Sequence, residues 1–170
     1  MRTPDEREYV AYVTARLPHL HRAAYLLCGD VDRAQDIVQS TVTSLYVHWN
    51  RARAADNIDA YVHRMLVNRF VDERRLRWSW VLLRAQVPER AGPAPPDVEQ
   101  SDEVRRALMR LPRGQRTALV LRFLCDLSVE ETAAVMGCSA GNVKSQTARG
   151  LQAMRPLLTQ TLVRGPGDDA

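Results

Sequence analysis

The residues with chemistry to offer gather near the C-terminus: Ser139, Gly141, Asn142, Lys144, Ser145, Gln146 and Arg149. They are hydroxyls, amides, one ammonium and one guanidinium, with a glycine among them. No acid occurs between Glu131 and Asp168, so nothing in this stretch repels phosphate. Amide and guanidinium groups can pair with base edges in the major groove of DNA, while an ammonium or a helix N-terminus holds the backbone. This is chemistry of recognition rather than of bond breaking. The sequence sets no nucleophile beside a base, gathers no metal-ligand set and carries no glycine-rich phosphate loop. An enzyme is therefore the least supported class, and no cofactor or metal is expected.

Two helices must position these groups. Ser128 is an N-cap whose partner, Glu131, stands three residues on, the spacing of a capping box. The helix it starts carries Val129, Ala133, Val135 and Met136, and stops at Gly137. Ser139 is a second N-cap, opening a longer helix from about Ala140 to Leu158. Two capped helices joined by a short glycine-containing turn form a helix-turn-helix. At about 100° per residue, Val143, Thr147, Leu151, Met154 and Leu158 make a packing stripe. Gly141, Asn142, Ser145, Ala148, Arg149 and Gln152 lie roughly opposite, with Lys144 and Gln146 at the margins. An ordinary amphipathic helix with a solvated polar face would show the same periodicity. The paired caps and the missing acids favour DNA.

The run from Leu111 to Arg155 resembles region 4 of bacterial sigma factors, the domain that reads the promoter −35 element. The resemblance rests on Leu111-Pro112, Leu121-Arg122, Leu127 to Ala133, Met136 to Ser139 and Gly141 to Ser145, in order and at family spacing. It implies that Ser139, Gly141, Asn142, Lys144, Ser145, Gln146 and Arg149 form the −35 contact.

Composition agrees with a nucleic-acid partner without requiring one. The 170 residues have room for one or two small domains, and 26% charged with 45% hydrophobic residues is a foldable composition. Aromatics are only 6% and alternating β-branched runs are scarce, so the expected class is all-α. The net charge is +4, carried almost wholly by arginine, with Lys144 the single lysine. The charged start argues against a signal peptide, and no apolar run is long enough to cross a bilayer, so a cytoplasmic protein is expected. Cys28, Cys125 and Cys138 are odd in number and far apart, which suits buried thiols in a reducing compartment. His19 and His21 have no carboxylate or cysteine at ligand spacing.

The N-terminal half reads as three helices. The first runs from about Asp5 to Cys28, with Pro18 a candidate kink and Leu20, Ala23, Ala24 and Leu27 on one stripe. After Gly29-Asp30 a second helix reaches about Trp49, burying Ala34, Ile37, Val38, Thr41, Leu45 and Trp49. It exposes Asp36, Gln39, Ser40 and Thr43. Residues 50–59 are polar and irregular, ending in Asn57 or Asp59 as a cap, and a third helix spans about Ile58 to Leu76. On an ideal wheel Tyr61, Arg64, Asn68, Asp72 and Arg75 fall within about 80° of one another. Such a face suits stacked bases and a phosphate backbone; it is equally a solvated face with an Asp72–Arg75 pair.

Leu26 to Asp30, Ala34 to Gln39, Trp49, Tyr61, Asn68-Arg69 and Asp72 to Arg75 resemble sigma-factor region 2, which grips the polymerase and melts the −10 element. The resemblance implies that Asp36, Gln39, Ser40 and Thr43 meet the β′ clamp helices. It makes 49–57 a loop that captures a flipped base, with Trp49, Asn50, Arg51, Arg53 and Asn57 as contacts. Arg51 and Arg53 would supply charge, and Trp49 or Tyr61 a stacking face. Tyr61, Arg64, Asn68 and Arg75 would border the melted DNA.

The domain organisation expected is region 2 at 5–76, a linker at 77–100, region 4 at 101–163 and a disordered tail at 164–170. The linker starts with an apolar patch around Trp78 and Trp80, then carries four prolines that forbid continuous helix. Fully extended it would span roughly 80 Å, against about 70 Å between sites two helical turns apart. Helices at Asp102 to Arg110 and Pro112 to Cys125, with Ala118, Leu119, Leu121 and Leu124 as core, would support the helix-turn-helix.

Two such domains and little else resemble the smallest sigma class, the extracytoplasmic-function (ECF) factors, in an actinobacterial sigma-E-like branch. The partners implied are core RNA polymerase, through the β′ clamp helices and β flap, and promoter DNA; an anti-sigma factor is a further partner open to such a protein. Departures occur at Gln35 and Ser40, where acids are usual, at Tyr61, where tryptophan is common, and at Gln146, which replaces a frequent arginine. The alternative, a stand-alone helix-turn-helix regulator acting without polymerase, leaves the N-terminal half unexplained.

Overall fold

The computed structural model describes residues 3–81 and 98–163, and the side chains of 3–73 and 102–158. These residues are helical, with no strand among them, and the chain divides into two compact units, Met1–Gly92 and Pro93–Ala170.

The first unit is built from α1 (Pro4–Cys28), α2 (Val31–Val47), α3 (Trp49–Arg53) and α4 (Ile58–Val81). α1 is fixed at its start by a capping box between Thr3 and Glu6 and runs on through Pro18. It ends at Gly29, whose φ of 76° is the left-handed conformation a glycine adopts without a Cβ penalty. Asp30 then accepts from the Arg33 amide at 2.9 Å and starts α2. That two-residue turn folds α2 back against α1, and α4 packs on both. Leu20, Ala23, Ala24 and Leu27 of α1 meet Ala34, Ile37, Val38, Thr41 and Leu45 of α2, with Val62, Leu66 and Phe70 of α4, as a buried core. The Thr41 hydroxyl donates to the Ile37 carbonyl at 2.7 Å, so its burial strands no polar group. Cys28 donates to the Asp30 carbonyl, and burial pushes its thiol up to about 11, keeping it protonated at neutral pH.

Polar clasps tie the helices at their edges. Asp59 accepts from Tyr12 Oη at 2.7 Å and from Arg16 at 2.6 Å, joining α1 to the first turn of α4. Arg33 makes a two-pronged pair with Glu73, both bonds 2.9 Å, joining α2 to α4.

The second unit holds α5 (Val98–Met109), α6 (Arg113–Leu119), α7 (Val129–Met136) and α8 (Ala140–Val163). α6 runs into a π turn at Val120–Leu124 instead of continuing as α-helix to Cys125. There the Cys125 amide reaches back five residues to the Val120 carbonyl at 3.0 Å. The wider turn keeps Val120 and Leu121 buried while Phe123 is 61% exposed. Asp126 follows at φ 53°, a left-handed position that aspartate tolerates better than most residues. The helix-turn-helix has its caps: Ser128 and Glu131 exchange bonds of 3.0 and 2.8 Å, Gly137 sits at φ 66°, and Ser139 accepts from the Asn142 amide at 3.1 Å. Each such N-cap is worth about 1 kcal/mol.

The two element bounds beside the linker differ from expectation. α4 continues to Val81, because no glycine or proline interrupts the chain after Leu76, and α5 begins at Val98. Both helices thus enter the segment read as linker. The expectations for residues 82–97, and for the tail at 164–170, lie outside the described residues.

Candidate nucleic-acid interface

α8 presents its polar residues as the periodicity requires. Ser139, Gly141, Asn142, Lys144, Ser145, Ala148, Arg149 and Gln152 are exposed, and Gln146 and Thr147 half-buried. The packing stripe is only partly as expected. Val143 and Met154 are buried, but Leu151 is 41% exposed. Its neighbour Gly150 is buried instead, where a Cβ would come 2.9 Å from Leu119 Cδ1. Close approach of α6 fixes that rotation, since only a residue without a side chain fits there. At Gly141 the protein makes no such demand: a Cβ would meet nothing nearer than Ser139 Oγ at 3.9 Å. Its lack of a side chain is therefore free to serve a surface outside the protein.

In the first unit, Asp36, Gln39, Ser40 and Thr43 form an exposed row on α2, and Tyr46 and Val47 extend it as exposed apolar residues. On α4, Arg64 and Asn68 are exposed and Tyr61 is half-buried. Arg69 turns inward to the Ser44 hydroxyl, and the Arg75 side chain lies outside the described residues.

The segment between α2 and α4 is more ordered than a capture loop. α3 occupies Trp49–Arg53, and Asn57 caps α4 by accepting from the Ala60 amide at 3.0 Å. Asn50 and Arg51 remain exposed. Two expected contacts are engaged within the unit. Trp49 is only 5% exposed, with its ring centroid 5.5 Å from Tyr9 and 5.6 Å from Tyr12, so it has no face free to stack on a base. Arg53 is paired at the surface with Asp5 at 2.6 Å and Glu8 at 3.3 Å of α1. A groove of about 340 Å³ beside Trp49 is lined by Asp5 and Glu6, acids that disfavour a phosphate backbone. Trp49 lies four residues beyond Leu45, on the stripe that periodicity buries in α2, and that stripe continues through the helix break.

Comparison with known proteins joins the two halves. Residues 12–79 match the family Sigma-70 region 2, and residues 101–154 match Sigma-70, region 4. The RNA polymerase sigma-E factor of Streptomyces coelicolor is 34% identical, over 87% of this chain and 84% of that protein. The ECF RNA polymerase sigma factor EcfG of Rhodopseudomonas palustris is 30% identical, over 86% of this chain and 82% of its own length. Among solved structures, the sigma factor RpoE of Bartonella quintana, in complex with the anti-sigma factor NepR, has a TM-score of 0.81 at 26% identity. That match covers 90% of this chain and 98% of the other.

Proposed function

The chain belongs to the ECF sigma factors of the sigma-70 family, of sigma-E-like type, and from that membership we propose how its two units divide the work. As a sigma factor it associates with core RNA polymerase and directs promoter-specific transcription initiation; it is not an enzyme. We assign the −35 element to α8. Asn142, Lys144, Ser145 and Arg149 make the principal contacts, with Gln146 beside them, Ser139 capping the helix and Gly141 allowing close approach. The second unit docks on the β flap. The row Asp36, Gln39, Ser40 and Thr43 on α2 meets the β′ clamp helices, and the −10 DNA runs along Asn50, Arg51, Asn57, Tyr61, Arg64, Asn68 and Arg75. Extruding a base costs a few kcal/mol, and Tyr61 is the ring placed to recover part of it by stacking. Trp49 and Arg53 are supports in this scheme, holding α3 against α1.

The observation that carries the reading is the acid-free, exposed polar face of α8 behind two sound caps, in one chain with an exposed polar row on α2. No helix among the described residues is long and apolar enough to cross a membrane, and we place the protein in the cytoplasm with the polymerase. The complexed state of the Bartonella relative supports an anti-sigma protein as a further partner. The test is run-off transcription with purified core polymerase on genomic fragments. Discrete transcripts that need this protein are expected; none, or the same set from core enzyme alone, would overturn the assignment.

A further inference from the structure

One contact inside the second unit bears on which base α8 accepts. Gly114, in the first turn of α6, faces Gln146 of α8: a Cβ built on it would lie 3.3 Å from Gln146 Nε2 and 3.4 Å from Cδ. A side chain at position 114 would press on the glutamine amide, which would have to give way. One turn on, Gly150 brings α8 against Leu119 and Gln115 of α6. A glycine on each helix thus sets the approach, and Gln146 is seated in the gap. It is half-buried, although Ser145 before it is exposed. From that seat its Nε2 donates to Asn142 Oδ1 at 3.4 Å, one helical turn back on the same exposed face.

The bond changes what Asn142 can offer. An unengaged asparagine reads adenine with both ends of its amide, Oδ1 accepting from N6 and Nδ2 donating to N7. Here one lone pair of Oδ1 is engaged by Gln146, which holds the oxygen toward α8 itself and leaves Nδ2 as the end of the amide not engaged by Gln146. A lone donor finds two neighbouring acceptors on guanine, N7 and O6, and one on thymine, O4, whereas adenine sets its N7 acceptor beside the N6 donor.

We propose that Gly114 is a positioning residue for sequence readout: it seats Gln146, Gln146 holds the Asn142 oxygen, and Asn142 reads its base by donation, favouring guanine or thymine over adenine. This rests on the assignment of α8 to the −35 element and adds to it the class of base accepted.

The test is run-off transcription by core polymerase with the full chain, on promoters carrying each of the four bases in turn at every −35 position. With the wild type, the position that Asn142→Ala flattens should prefer guanine or thymine. Gln146→Ala frees the asparagine oxygen, and Gly114→Leu evicts the glutamine. Each should shift the ratio at that one position toward adenine by roughly tenfold, within the discrimination of a bidentate pair. The double variant should match Gln146→Ala alone, which a merely structural role for Gly114 would not produce. Gln146→Ala carries the test by itself if Gly114→Leu does not fold. A wild-type preference for adenine, or ratios unmoved by Gln146→Ala while Asn142→Ala flattens the position, would overturn the proposal and leave the −35 assignment standing. If Asn142→Ala, Lys144→Ala and Arg149→Ala alter no −35 position, the assignment itself falls, and the proposal with it.

Discussion

Replacing Arg149 by alanine is expected to cut initiation from a preferred −35 sequence by roughly 5- to 150-fold, the equivalent of about 1–3 kcal/mol for one bidentate base contact. Arg149 is exposed on the polar face of α8, on the same stripe as Asn142 and Ser145, with no acid on that helix to neutralise it. The loss should depend on sequence: a promoter already altered at the contacted base should lose little more. A uniform loss across all promoters, with a shallower salt dependence, would make Arg149 a phosphate contact.

Truncating Leu45 to alanine should destabilise the first unit by about 2–5 kcal/mol, the range for a buried leucine whose cavity only partly collapses. Leu45 is fully buried on the face of α2 that packs against α1 and α4. Natural domains hold only about 5–15 kcal/mol in total, so this loss is a large share. Denaturant melts of the full chain should show the transition of that unit moving to lower denaturant. Binding of a −35 duplex, which we assign to the other unit, should stay close to wild type. Equal loss of duplex binding would mean that the units do not divide the work as assigned.

What the sequence revealed was chiefly what is local. Gly29-Asp30, Ser128 with Glu131, Gly137 and Ser139 are start and stop signals read within four residues, and all of them cap as expected. Heptad-like spacing located the buried faces of α1 and α2 for the same reason. What is not legible in the sequence is contact between distant segments. Arg53 looked like free charge because its partners, Asp5 and Glu8, stand more than forty residues away. The sequence offers Trp49 both as core of α2 and as a stacking face, and Tyr9 and Tyr12 of α1 pack against its ring. Leu151 sat on the ideal stripe of α8, but the close approach at Gly150 rotates the packing face away from it. The Gly114–Gln146 contact had no local signature at all, since each residue is unremarkable within its own helix.

Permanganate reactivity of thymines around −10 tests the division between the two units most directly. With core polymerase and the wild-type protein, those thymines should become reactive. A Tyr61→Ala, Arg64→Ala, Asn68→Ala triple variant should bind core and protect the −35 duplex yet leave the −10 thymines unreactive. If that variant opens the −10 region like the wild type, or loses −35 protection instead, the assignment of strand opening to the α4 face is wrong.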